Sequence, residues 1–234
     1  MKTTTKNENK NTGLLLPFEE YLKSGVYIGT NQKTKFIEEF IYAEKSSKGK
    51  YIFDISKIDE RIRLVAKFLS NYEPSEILVV AKRMSARKPA KLFAKYTKAD
   101  EMVGKYVAGT LTNPSIKYYR EPEVLLAADP FMDSLAIKEA VTMGIPVVSF
   151  VNTYNSICNI DLMVPANNRG RKALALVFYL LAREYLRNRG VLKEDQELSE
   201  KGWEEFVPSP KETSVPPWIR KQLELKRRRR RSRK

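Results

Sequence analysis

Histidine is absent from this 234-residue chain, and cysteine occurs once, at Cys158. Without an imidazole, Ser-His-Asp and Cys-His catalysis have no base within the chain, and the usual Cys/His zinc sets lose their ligands. A single cysteine also excludes an intramolecular disulfide, and Cys158 reads as a small buried residue rather than a nucleophile. No two of the ten glycines stand two apart, so there is no dinucleotide-binding fingerprint. Gly104 and Gly109 have the spacing of a phosphate loop, but Thr110 and Leu111 stand where Lys and Ser/Thr are required. Apolar runs are short: the longest, Ala173 to Ala182, falls far below the roughly 20 residues that span a bilayer. Met1 to Asn11 has no hydrophobic centre, so the expectation is a cytoplasmic chain with no secretory signal and no membrane partner.

What the chain has in excess is positive charge. Lys and Arg number 43 against 28 Asp and Glu, a net charge of +15 that no histidine titrates. Such a field suits a polyanionic partner. It is not confined to the terminal run Lys226 to Lys234, because residues 1 to 189 keep a basic excess without it. At 42% hydrophobic, the chain has enough apolar surface for one substantial core.

Residues 1–13 are polar and rich in Thr, Asn and Lys, and are expected to be a disordered tail. Pro17 opens a short helix that Gly25 ends. Phe36–Ala43 and Tyr51–Ile55, separated by Ser46, Ser47, Lys48 and Gly49, read as a hairpin or two neighbouring strands. Ser56 and Asp59 form a capping-box pattern ahead of a helix whose inner face is Ile58, Ile62, Val65, Ala66 and Leu69. Short apolar runs at Ile77–Ala81, Val124–Ala128, Val147–Val151 and Leu162–Val164 then alternate with helical stretches at Lys88–Tyr96, Asp133–Met143 and Gly170–Arg189. That alternation predicts an α/β fold with a mostly parallel central sheet and helices on both faces. The expected organisation is a domain over residues 14–190 followed by an extension over 191–234, acidic, then Pro-rich, then basic.

In such a sheet, ligands meet the loops at the carboxyl ends of the strands. After Ile77–Ala81 comes Lys82 to Lys88, in which Arg83, Arg87 and Lys88 are candidate phosphate contacts. After Tyr106 and Val107 comes Gly109 to Pro114, with Thr110, Thr112 and Asn113 as neutral donors. After Leu162–Val164 comes Asn167, Asn168, Arg169, Gly170, Arg171 and Lys172, placing three cations at a helix N-terminus, where the dipole disfavours them unless an anion joins them. Thr30, Asn31, Gln32, Lys33 and Lys35 form a further basic segment ahead of the first strand. Lys and Arg release counterions from phosphate, while Thr, Ser and Asn donate to phosphate and 2′-hydroxyl oxygens, a combination that fits structured RNA. Asp54, Asp129, Asp133 and Asp161 read as caps and turn formers rather than magnesium ligands. Two other readings stay open: a nucleotide-binding enzyme on the same sheet, and an adaptor that binds proteins through the extension, with Trp203 and Trp218 as docking residues.

Several of these stretches, in this order, carry a family resemblance: Gly25 to Lys35 (GVYIGTNQKTK), Asp59 to Leu69 (DERIRLVAKFL), Gly109 to Pro114 (GTLTNP), Glu121 to Leu125 (EPEVL), Leu135 to Val148 (LAIKEAVTMGIPVV) and Asn167 to Leu176 (NNRGRKALAL). The chain resembles the second-numbered protein of the small ribosomal subunit, a universal family whose eukaryotic members are also called the laminin-receptor precursor, and its archaeal type in particular. The resemblance runs from about Leu14 to Gly190 and more weakly to Pro208. It implies a non-enzymatic ribosomal component with a flavodoxin-like three-layer fold, no cofactor, and small-subunit rRNA and neighbouring ribosomal proteins as partners. Ser115 to Pro122 leaves no room for the helical hairpin of bacterial members. The chain departs from the family pattern at Tyr27, where histidine is usual, at Phe131, where archaeal members commonly have arginine, and at Asn152 and Tyr154, where acids are common. The terminal Arg227, Arg228, Arg229, Arg230 and Arg231 lie outside the resemblance. A run that repels itself when free needs an anionic groove, and rRNA anchoring is the reading given to it.

Overall fold

The computed structural model describes residues 13–43, 49–193, 196–210 and 212. The tail over 1–12, the turn residues Ser46 to Lys48, Trp218 and the run Arg227 to Arg231 lie outside the described residues.

Five strands form one parallel sheet, whose three central members are apolar on both sides of the pleat. β3 (Ile77–Ala81), β5 (Val124–Ala127) and β6 (Val147–Val151) are buried at every residue, as a strand covered on both faces requires. β4 (Asp100–Val103) and β7 (Leu162–Pro165) complete the order β4-β3-β5-β6-β7, every pair parallel. This is the strand order of a flavodoxin-like doubly wound sheet. Alternate residues face different layers: Val79 and Ala81 meet the larger core, while Leu78 and Val80 meet the smaller one.

The larger layer consists of α2 (Ile55–Leu69), α3 (Met84–Thr97) and α5 (Arg171–Asn188), which pack on one another. α5 is buried from Ala173 to Arg183 on every side, because α2 and α3 flank it and a 3-10 turn, Gly202–Phe206, caps it with Trp203 and Phe206. Among the described residues the opposite face carries α4 (Ser134–Met143) and the Tyr106 to Leu111 segment. A three-layer α/β fold is therefore present. α1 (Phe18–Ser24) packs on α5, and a small antiparallel pair, β1 (Ile41–Ala43) with β2 (Ile52–Phe53), lies beside the main sheet.

Four expectations are revised. Lys35–Phe40 is a 3-10 helix rather than the first half of a strand, since its buried residues Ile37 and Phe40 recur every third position while Phe36 is exposed. Asp54 rather than Ser56 caps α2, accepting the Ser56 N–H at 3.0 Å. Asp59, freed from capping, is buried and accepts from the Leu15 N–H at 2.7 Å and the Tyr21 hydroxyl at 2.5 Å. α3 begins four residues before the expected start and contains Pro89. Trp203 is enclosed by its own chain and donates its indole N–H to Glu20 at 2.8 Å, so it is not an external docking residue.

Arg183 is 2% exposed inside α5 and donates to the Leu15 carbonyl at 2.8 Å and to Glu184 at 3.2 Å. Arg183→Ala leaves the Leu15 carbonyl without this donor and a large void inside α5, while Glu184 keeps Arg187 at 3.1 Å, and should cost about 3 to 5 kcal/mol. Urea unfolding should show a lower midpoint at unchanged slope; a loss below about 1 kcal/mol would show that water reaches the site.

Candidate nucleic-acid interface

Parallel strands bring their carboxyl ends to one edge of the molecule, and there a chain of buried polar side chains ties the loops together. Asp133 accepts the Lys82 N–H at 2.9 Å and the Asp129 N–H at 3.0 Å, joining the loops after β3 and β5. Asp129, fully buried, accepts from Arg83, from the Phe131 N–H at 3.0 Å and from the Asn155 amide at 3.4 Å. Asn155, after β6, in turn accepts the Asn152 N–H and the Asn168 amide, both at 2.9 Å, and Asn168 also donates to the Phe150 carbonyl at 3.1 Å. Thr153 extends the chain of contacts to the N-terminal segment, its hydroxyl accepting the Thr30 N–H at 2.9 Å and its carbonyl the Thr34 N–H at 2.9 Å. Gly29 permits this approach: a Cβ there would stand 2.5 Å from Thr153 Cγ2 and 3.1 Å from the Tyr51 carbonyl oxygen. A fully satisfied buried network of this kind gives the loops a single geometry.

Burial pushes the Asp133 carboxyl up to about 7, against the opposing pull of its two N–H donors. A carboxyl whose folded pKa is raised favours the folded state while protonated, so its contribution is present below about pH 4 and is lost as pH rises through about 7. Carbon-13 NMR should place the Asp133 midpoint near 7, and the accompanying fall in unfolding free energy should vanish in Asp133→Asn. Complete ionisation by pH 5 would contradict the dominance of burial.

The network sorts the sequence-predicted side chains. Asn168 and Thr110 are fully buried, and the Thr110 hydroxyl donates to the Val107 carbonyl at 2.6 Å, so both shape loops from within. Asn167 faces inward as well, donating to the Gly25 carbonyl at 3.1 Å and accepting the Arg169 and Gly170 N–H groups. Arg83 pairs with Asp129, Lys33 with Glu38 at 3.0 Å, and Lys88 donates to the Val207 carbonyl at 3.0 Å. The Thr30 hydroxyl donates to the Gln32 carbonyl at 3.1 Å. Asn31, Gln32, Lys35, Arg87, Thr112, Asn113, Arg169, Arg171 and Lys172 are exposed.

Two groups of exposed cations converge. Arg87 occupies the first turn of α3, and Arg171 and Lys172 the first turn of α5, neither helix carrying an acid there. The two helix starts are adjacent, because the Ser85 hydroxyl donates to the Arg169 carbonyl at 3.3 Å. The Gly109 to Pro114 loop stands apart. β4 ends at Val103, and Glu139 of α4 holds the following segment by the Gly109 N–H at 2.7 Å, the Leu111 N–H at 3.1 Å and the Tyr106 hydroxyl at 2.9 Å. Sequence reasoning passed over Asn155 and Ser85, whose only signal was their position just past strand ends, and noted Tyr154 only as a departure from the family pattern.

A cleft of about 590 Å³ opens between the Thr30 to Gln32 segment and Arg169, whose guanidinium lies 4.1 Å from the centroid of the Tyr154 ring. A second hollow beside it is lined by Phe131, Tyr154 and Cys158. Cys158 is exposed, contrary to the buried position expected of it, because the loop between β6 and β7 carries it outside the core. Among the described residues no helix is long and apolar enough to cross a membrane.

Comparison with known proteins adds sequence relationships to this geometry. A family model described as Ribosomal protein S2 matches residues 115–187. The small ribosomal subunit protein uS2 of Staphylothermus marinus is 51% identical over 187 residues, covering 80% of this chain and 84% of its own length. The uS2 proteins of Methanococcus maripaludis strain C5 and of Saccharolobus solfataricus are each 48% identical, over 182 and 186 residues, covering 78% and 80% of this chain and 82% and 80% of their own lengths.

Proposed function

This chain belongs to the ribosomal protein S2 family, and we propose that the basic rim at the carboxyl ends of its sheet is the surface that holds it on small-subunit rRNA. The chain is a structural, non-enzymatic component of the small ribosomal subunit, and its role is in translation. Within that role the observation that carries the rim assignment is the pair of adjacent helix N-termini, α3 and α5, furnished with Arg87, Arg171 and Lys172 instead of acids. Partial positive charge from each helix start adds to the side-chain charge, and a phosphate backbone supplies counter-charge to both. Lys35, Asn31, Gln32 and Arg169 extend the contact to one side. Thr112 and Asn113 form a separate contact beside α4. Arg227 to Arg231 contact rRNA, and neighbouring ribosomal proteins cover part of the extension, all within the cytoplasmic ribosome.

Co-sedimentation with small subunits stripped of this protein is the test. The wild-type chain should pellet with them, and a variant with Arg87, Arg169, Arg171 and Lys172 changed to glutamine should remain in the supernatant at the same salt. Equal pelleting of the two would remove the rim from the contact and leave the extension as the attachment.

A further inference from the structure

We propose that the cleft beside Arg169 receives one unpaired nucleotide of an RNA strand, its base stacked on the Arg169 guanidinium and its edge met by Asn31 and Gln32. The inference rests on the rRNA reading above and names a subsite within it. At about 590 Å³ the cleft lies in the range of about 300 to 1,000 Å³ usual for sites that take a small organic group, and among the described residues no acid lines it. The Arg169 guanidinium lies over Tyr154, its Cζ 4.1 Å from the ring centroid, and the residue is exposed, so it meets the ring while remaining accessible to a ligand. A guanidinium plane is a stacking surface for a nucleobase. Held against the ring, it has lost much of its rotamer freedom before binding, which lowers the ordering cost of the contact.

The opposite wall supplies the edge contacts. Asn31 and Gln32 are exposed, and their side-chain amides make no hydrogen bond among the described residues. Each offers a donor and an acceptor side by side, the pattern a base edge presents in return. Gly29 lies flush against Thr153, and exposed Lys50, which also lines the cleft, provides a cation for the phosphate of the same nucleotide. A double helix keeps its bases stacked and cannot present one in this way, which is why the occupant is a bulged or single-stranded residue.

The test is fluorescence anisotropy on the full chain with labelled hexa-adenylate and with an abasic hexamer of identical charge. Stacking predicts that the base-bearing strand binds about tenfold tighter, and that Arg169→Lys, which keeps the charge and loses the plane, abolishes the ratio. Equal affinity of the wild-type chain for both strands, or a ratio that survives Arg169→Lys, overturns the subsite. AMP displacing the hexamer as effectively as unlabelled hexamer, mole for mole, would assign the cleft to a free mononucleotide and overturn the strand reading. Steep, salt-dependent binding of small-subunit RNA with no base dependence overturns the subsite alone; no binding of small-subunit RNA at all overturns the rRNA reading with it.

Discussion

Replacing Arg87, Arg169, Arg171 and Lys172 together by glutamine should weaken binding of small-subunit RNA by about three orders of magnitude near 0.1 M salt. Each neutralised phosphate contributes roughly 0.7 to 0.9 to the slope of log affinity against log salt, so a contact made at a tenth-molar salt is worth a little under tenfold. Four such contacts compound to about a thousandfold, and the slope itself should fall by about 3. The folded state should be almost untouched, since all four side chains are exposed and surface substitutions away from buried networks stay within about 0.5 kcal/mol. The two readouts must move together. A lost affinity with an unchanged slope would mean that the substitutions misplace the chain on its RNA rather than remove phosphate contacts.

The second large effect lies beneath the rim. Asp129→Ala leaves the Arg83 guanidinium, the Asn155 amide and the Phe131 N–H facing an empty acceptor position in a buried site. Breaking a buried pair on one side costs about 3 to 5 kcal/mol, because a charge is left without its partner. The loops after β3, β5 and β6 share this residue, so the cost appears in two places: a lower urea midpoint, and loss of RNA affinity in protein that is still folded at the assay temperature. Asp129→Asn keeps one acceptor for Arg83 and should fall between. A loss in Asp129→Ala below about 1 kcal/mol would show that the loops hold their positions without the network.

Legibility in the sequence followed burial. β3 and β6 were readable to the residue, Ile77–Ala81 and Val147–Val151, because strands covered on both faces are uninterrupted apolar runs. β4 escaped notice because it is an edge strand, and half-exposed Asp100 and Glu101 break any apolar pattern. The 3-10 helix at Lys35–Phe40 was hidden because three apolar residues in six fit both a short strand and a tight turn.

The candidate site was legible as charge and illegible as partnership. Arg169, Arg171 and Lys172 announce themselves ahead of an apolar helix. That Arg83 is held by an aspartate 46 residues away, or that Asn168 answers to Asn155, is a consequence of strand order that no local pattern encodes. Thr110 and Arg169 have the same standing in a sequence, two polar residues in loops. Only the fold separates the one that supports a loop from the one that projects from it.

The central claim is directional: the carboxyl end of the sheet faces RNA. Cys158, exposed beside Phe131 and Tyr154 near that end and the only cysteine in the chain, permits a direct measurement. An iron chelate tethered to Cys158 in reconstituted small subunits should generate hydroxyl radicals that cut nearby rRNA strongly. The same chelate at Glu73→Cys, in a Cys158→Ser background and at the amino end of the sheet just before β3, should cut weakly or not at all. Strong cleavage from position 73 with none from position 158 would contradict the account.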